Sequence, residues 1–176
     1  MNIVFINNDK QIFNGFDGAS ETLEGMPMIC VLNNSNLFIQ RFTLAHELGH
    51  LILDIAPSLD NELVCDEFAS SLLLPKEALI RKFGVSRKYI SDVEYNLIRE
   101  EYQVSIKVIM NRLYRYNIIS NSAYKYACIH YNKFLKDEEQ EIGKLNQEKA
   151  LKYKMLVNRL RSQELITESK FRELME

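Results

Sequence analysis

Phe42-Thr43-Leu44-Ala45-His46-Glu47-Leu48-Gly49-His50-Leu51-Ile52 carries the strongest helical pattern of the chain, and the fold is read outward from it. Leu44, Leu48, Leu51 and Ile55 recur at i, i+4, i+7 and i+11, which predicts a buried helix of about four turns that starts at Phe42 and is stopped by Pro57. Inside it lies His-Glu-x-x-His. Two histidines four apart on a helix stand one turn apart on one face, so both imidazoles can reach one metal ion. Glu47 sits beside them as a candidate general base, able to take a proton from water and pass it to a leaving amine. The chain has only three histidines and seventeen glutamates. A random chain of this composition shows the motif about 0.5% of the time, so its occurrence is specific. Gly49 costs about 1 kcal/mol in mid-helix, which is explained if another backbone approaches there.

A catalytic zinc needs a third protein ligand and keeps its fourth position for water. After a linker over Asp54–Asp60, a second helix is predicted from Asn61 to Leu74, with Val64, Phe68 and Leu72 on one stripe and Cys65, Ala69 and Leu73 beside it. It is stopped by Pro75. Glu62 and Asp66 share a face of this helix. Glu62 is the candidate third ligand, and Asp66 is placed to accept the outer N–H of a ligating histidine. Asp54, one helical turn beyond His50, is the rival ligand.

Upstream, residues 1–40 read as short strands forming a small sheet or a pair of hairpins. Ile3–Ile6 runs into a turn at Asn7-Asn8-Asp9, Gly15 and Gly18 mark a loop, and Met28–Leu32 ends at Asn33–Asn36. Downstream the pattern is helical. Pro75 opens a helix closing near Gly84, Ser91-x-x-Glu94 is a capping box, Ser105 caps a helix bearing Ile106, Ile109, Met110 and Leu113, and Ser122–Leu135 is another. The charged stretch from Lys136 to Lys149, with Gly143, reads as a hinge or an exposed helix. A final pair follows, its first stripe being Ala150, Tyr153, Val157 and Leu160. The fold class is therefore α+β, a small N-terminal sheet on a mainly helical body with the His-Glu-x-x-His helix at its centre. Residues 1–120 are read as one domain, helical from about residue 76, and 121–176 as a C-terminal helical appendage.

Composition sets bounds on this reading. With 176 residues, 47% hydrophobic and 26% charged, the chain is long enough for a sizeable core and ordinary for a globular protein. The longest apolar run falls short of a membrane span and the N-terminus does not read as a secretory signal, so the expected location is the cytoplasm. Cys30, Cys65 and Cys128 are odd in number and widely spaced, which suits neither a disulfide framework nor a thiolate zinc site. The net charge of −2 hides an asymmetry. Residues 1–75 hold two basic and ten acidic side chains (−8), whereas residues 76–115 hold nine basic and five acidic (+4). Such an acidic first half suits a cation or a basic partner.

The segment Arg41–His50, followed by Glu62-x-x-Cys65-Asp66-x-Phe68-Ala69 and Leu72-Leu73-Leu74-Pro75, resembles the ImmA/IrrE family of metallopeptidases. That family's pattern is roughly RFTLAHELGH and then ExxANxFAxxLLMP, and around the metal its members are similar to thermolysin-type gluzincins. The resemblance is dense from about Pro27 to Pro75 and weaker to about Ser120, through Tyr102–Ser105 and Arg112-Leu113. It implies Zn2+ held by His46, His50 and Glu62, with Glu47 as general base. Cys65-Asp66 stands where Ala-Asn is usual, and Asp66 restores the carboxylate of the related Asn-Glu-x-x-x-Asp pattern. The resemblance also implies that the strand before the metal helix, Met28, Ile29, Cys30, Val31 and Leu32, binds substrate backbone as an added strand. The implied substrate is a helix-turn-helix repressor or antitoxin protein encoded nearby. His130, Tyr89, Tyr95 and Tyr102 are candidates for the oxyanion donor.

A second function class starts from Phe83–Ile90 and Tyr102–Ile109. Both resemble the turn and second helix of helix-turn-helix modules, within the basic middle segment. This alternative is a DNA-binding or repressor-sequestering module with a vestigial metal site. A charge of +4 over forty residues is modest for duplex DNA, so direct DNA binding is not expected.

Overall fold

A computed structural model describes residues 2–6, 17–33, 36–145 and 151–175. The chain is α+β, with three N-terminal strands in one sheet and helices thereafter. Strands β1 (Asn2–Ile6), β2 (Gly18–Leu23) and β3 (Met26–Leu32) are ordered β1-β3-β2, with β1 parallel and β2 antiparallel to β3. A two-residue turn, Glu24-Gly25, joins β2 to β3. Both residues have positive φ (50° and 78°), as the primed hairpin turns require, and glycine takes the second without strain.

This topology corrects the role given to Met28–Leu32. The segment lies in the central strand, hydrogen-bonded to β1 on one side and to β2 on the other, so it has no edge to offer a substrate. Among the described residues the unpaired edge on the helix side belongs to β2. Gly18 opens β2 instead of marking a loop. A Cβ at Gly18 would stand 2.4 Å from Thr43 Cγ2 and 2.9 Å from the Cys30 carbonyl oxygen, so its missing side chain lets the sheet close on the helix beneath. The turn expected at residues 7–9 and the loop at Gly15 lie outside the described residues.

Helix α1 (Leu37–Ile52) begins five residues before Phe42, because Asn36 caps it by accepting from the Ile39 N–H at 3.0 Å. It also ends before Pro57. Leu53 is already extended, so residues 53–60 form a connection without helix. The most buried positions are Leu37, Phe38, Gln40, Thr43, Ala45 and Gly49, while the expected leucine stripe is half-buried. Helix α2 (Asn61–Leu73) starts on Asp60, whose carboxylate accepts from the Glu62 and Leu63 N–H groups. It packs on α1 through small residues. A Cβ on Gly49 would meet Cys65 Sγ at 3.1 Å and Phe68 Cδ1 at 3.2 Å, so the mid-helix glycine allows close approach, and Leu72 points outward.

Helices α3 (Lys76–Phe83), α4 (Asp92–Tyr102) and α5 (Ile106–Arg115) follow, with the Ser91/Glu94 capping box and the Ser105 cap both formed. Leu79, Tyr95, Ile98, Ile106, Ile109 and Leu113 form the main core with Leu135. The helix-turn-helix resemblance does not survive in its first copy, since residues 84–91 form a loop. In the second copy α5 follows a left-handed turn at Gln103, but it buries Ile106, Ile109, Met110 and Leu113 completely.

Helix α6 (Asn121–His130) passes through a π-helical turn, Tyr131–Leu135, directly into α7 (Lys136–Leu145). Residues 136–145 of the charged stretch are thus a largely exposed helix, one of the two readings left open for it, anchored by the buried Glu139 and Gly143. Glu139, 3% exposed, accepts from the Ile106 N–H and from the Tyr131 hydroxyl, each at 2.6 Å, and so caps α5 from a distance. Burial pushes its carboxyl above the usual range against these hydrogen bonds. Gly143 is buried against the Asn36 side chain. Helices α8 (Leu151–Ser162) and α9 (Glu168–Met175) complete the order. Val157 is buried, whereas the side chains of Ala150 and Tyr153 lie outside the described residues.

One polar cluster ties α5 to the helix that carries Glu62. Arg112, 1% exposed, donates to Glu67 Oε1 at 3.1 Å, to Ser71 Oγ at 3.0 Å and to the Tyr116 hydroxyl. Arg115 holds the other Glu67 oxygen at 3.0 Å. Arg112→Met keeps volume but strands these acceptors. Glu67 retains Arg115 and some solvent, so the expected loss is about 2 to 3 kcal/mol in urea unfolding, below the full penalty for breaking a buried pair. A loss under about 1 kcal/mol would contradict this account.

Candidate metal centre

The helical spacing of α1 sets His46 and His50 one turn apart, with their Nε2 atoms 3.0 Å from each other and their rings edge to face. The first turn of α2 brings Glu62 across the helix interface. Its Oε2 is 3.2 Å from His46 Nε2 and its Oε1 is 3.4 Å from His50 Nε2. One turn on, Asp66 Oδ1 lies 2.8 Å from His46 Nδ1. Among the described residues, His46, His50 and Glu62 are the His, Cys and acidic side chains whose donor atoms gather within 4.8 Å of one another.

The chemistry of this donor set fits a divalent cation. Two ring nitrogens 3.0 Å apart cannot both carry protons, and the Asp66 contact draws the His46 proton to Nδ1, leaving a lone pair on Nε2. A carboxylate and a ring lone pair facing one another in this way suit a cation held between them. Ligands about 2.0 to 2.2 Å from a tetrahedral ion stand roughly 3.3 to 3.6 Å apart, slightly wider than the 3.0, 3.2 and 3.4 Å found here. The Glu62 side chain is 72% exposed, so the centre opens to solvent on that side.

Glu47 is not among the converging donors. Its Oε2 accepts from Ser20 Oγ at 2.7 Å, which ties it to β2. Sequence reasoning missed Ser20. Its only signal was the period-2 spacing from Gly18, with both residues facing α1 from the same strand. Cys65 is fully buried at the α1–α2 crossing, and burial, then the negative Glu62, Glu47 and Asp66, push its thiol up, so it stays protonated.

Asp54 is set aside as a ligand. The chain turns extended at Leu53, so Asp54 does not continue the histidine face and lies outside the converging group. The proposed oxyanion donors also lie elsewhere. Tyr89, Tyr95 and His130 line a cavity that contains none of the residues above, His130 being paired with Asp92 at 2.9 Å, and Tyr102 packs on the main core.

A helix bearing His-Glu-x-x-His, roofed by an edge strand and completed by an acid from the next helix, has the arrangement of a metallopeptidase. The sequence agrees with that class. Residues 2–114 match the IrrE N-terminal-like domain, a peptidase family, and the chain belongs to it. A comparison with curated proteins finds no match. No helix among the described residues is long and apolar enough to cross a membrane.

Proposed function

We propose that the chain is a zinc-dependent endopeptidase whose substrate is a helix-turn-helix repressor or antitoxin protein. The observation that carries this reading is the convergence of His46, His50 and Glu62, with Glu47 outside that group and held by Ser20. These three side chains would hold the ion, and Asp66 keeps His46 in the tautomer that presents Nε2. When bound, zinc supplies a Lewis acid for the scissile carbonyl and lowers the pKa of water. Glu47 takes a proton from the attacking water and returns it to the leaving amine. Ser20 donates to one Glu47 oxygen, fixing the carboxylate and leaving the other free to act as base.

Substrate backbone pairs with the open edge of β2, the strand that touches both α1 and Glu47. An extended linker lies there without the partner's DNA-binding domain unfolding. The −8 charge of residues 1–75 favours encounter with a basic, DNA-binding protein in the cytoplasm. We place the catalytic unit in residues 1–120, with the later helices bracing it through Leu135 and Glu139.

The test is to measure bound metal and to mix the protein with the product of an adjacent repressor-like gene. About one zinc per chain and a single cut, abolished by chelator and restored by zinc, are expected. Stable association without cleavage, indifferent to chelator, would replace the peptidase by a sequestering partner.

A further inference from the structure

Away from the candidate metal centre, α4, α5 and α6 border a half-open cavity of about 640 Å3. That lies within the range of small-molecule sites, roughly 300 to 1,000 Å3. Tyr95, Ile106, Met110 and Ile119 line it, each buried in the core. Helix α6 contributes Ala123 and Ala127, one turn apart, and these two small side chains leave the space open. Two aromatic rings at its rim, Tyr89 and Tyr126, are 72% and 71% exposed. Tyr126 stacks on His130, 6.2 Å between centroids.

The cavity is polar at one end. The Arg87 N–H donates to the Ile118 carbonyl at 2.7 Å, which lays Lys88 alongside the Ile119–Ser120 entrance to α6. Lys88 makes no ion pair among the described residues, and α6 starts on Ser120 with no acid in its first turn. The nearby acid of the lining, Asp92, already faces His130 at 2.9 Å. The lining thus sets this lysine, without an ion pair among the described residues, at the Ile119–Ser120 side and keeps its acid, Asp92, on His130, beside an apolar hollow.

We propose that this cavity is a binding site for a small amphipathic organic anion, its ring or chain body held among Tyr95, Met110 and Ala127 and its carboxylate or sulfonate end at Lys88. The site shares no residue with the metal centre, and its α6 wall lies beyond the part of the chain that matches the peptidase family.

Two fluorescent probes of nearly the same shape test it on the intact protein. 8-Anilinonaphthalene-1-sulfonate carries the anion, and N-phenyl-1-naphthylamine is the same body uncharged. One saturable sulfonate site per chain is expected, with the sulfonate bound more tightly than the neutral probe. Ala127→Leu fills the hollow and should weaken both probes at least tenfold, with Ala123→Leu as the second filling variant should the first fail to fold by circular dichroism. Lys88→Gln, a surface change, should weaken only the sulfonate, by about three- to fivefold for one half-exposed ion pair. Several weak sites unaffected by the alanine variants, or no saturable binding, would overturn the site. Equal binding of the two probes, unchanged in Lys88→Gln, would overturn its anion selectivity.

Discussion

Glu47→Gln is expected, on the zinc-peptidase proposal, to retain bound zinc and to lose cleavage by about 10²- to 10⁴-fold, the span general-base catalysis contributes. The substitution isolates the proton acceptor because little else changes. Glu47 is not among the donors that converge from His46, His50 and Glu62, so the metal site keeps its ligands. The amide has the shape of the carboxylate and its oxygen still accepts from Ser20 Oγ, now 2.7 Å from Glu47 Oε2, so the side chain stays under β2. What disappears is the group able to take a proton from water near neutral pH. The measurements are metal content by mass spectrometry and single-turnover cleavage under excess enzyme. Cleavage at the parental rate would remove Glu47 from the mechanism, whereas loss of zinc along with activity would make it a ligand.

The convergence of His46, His50 and Glu62 was legible because it rests on local periodicity. Two histidines four apart and an acid in the first turn of the next helix need only helical geometry to be recognised. The sheet was less legible, since its order depends on pairings between distant residues. Even so, one signal was present. Met28-Ile29-Cys30-Val31-Leu32 is an unbroken apolar run, the pattern of a strand covered on both faces, as strands inside a sheet tend to be. Gly18-Ala19-Ser20-Glu21-Thr22-Leu23 is poor in strand formers and reads as a loop, yet its pairing with β3 makes it the edge that reaches Glu47.

The glycines divide in the same way. Gly49 announced a close approach because a helix interior tolerates it poorly, and Cys65 and Phe68 fill the space. Gly143 sits among charges and left a hinge and an exposed helix both open, and only the arrival of Asn36, the cap of α1, explains it. Glu139 belongs with it. A buried carboxylate that caps another helix is indistinguishable, in sequence, from its solvated neighbours Glu138 and Glu141.

The acidic residues around the histidines should separate into three ranks when each is replaced by alanine. Glu62→Ala removes the one side chain, among the described residues, whose oxygens face both Nε2 atoms, at 3.2 and 3.4 Å, and leaves neither Nε2 with an anionic partner. Its zinc affinity should fall by more than the ~10- to 100-fold typical of a residue that acts through a ligand. Asp66→Ala should fall within that span, because it releases the His46 tautomer and ring without removing a donor. Asp54→Ala should change little, since the extended backbone at Leu53 turns it away from the histidine face. Competition with a chromogenic chelator at fixed pH reads all three on one scale. Glu62 is largely exposed and its helix keeps the Asp60 cap, so unfolding does not account for a loss in that variant. Zinc lost from the Asp54 variant and kept in the Glu62 variant would reverse the choice of third ligand. Equal losses from Glu62 and Asp66 would instead mean that Asp66 reaches the ion itself and its 2.8 Å contact with His46 is exchanged on loading.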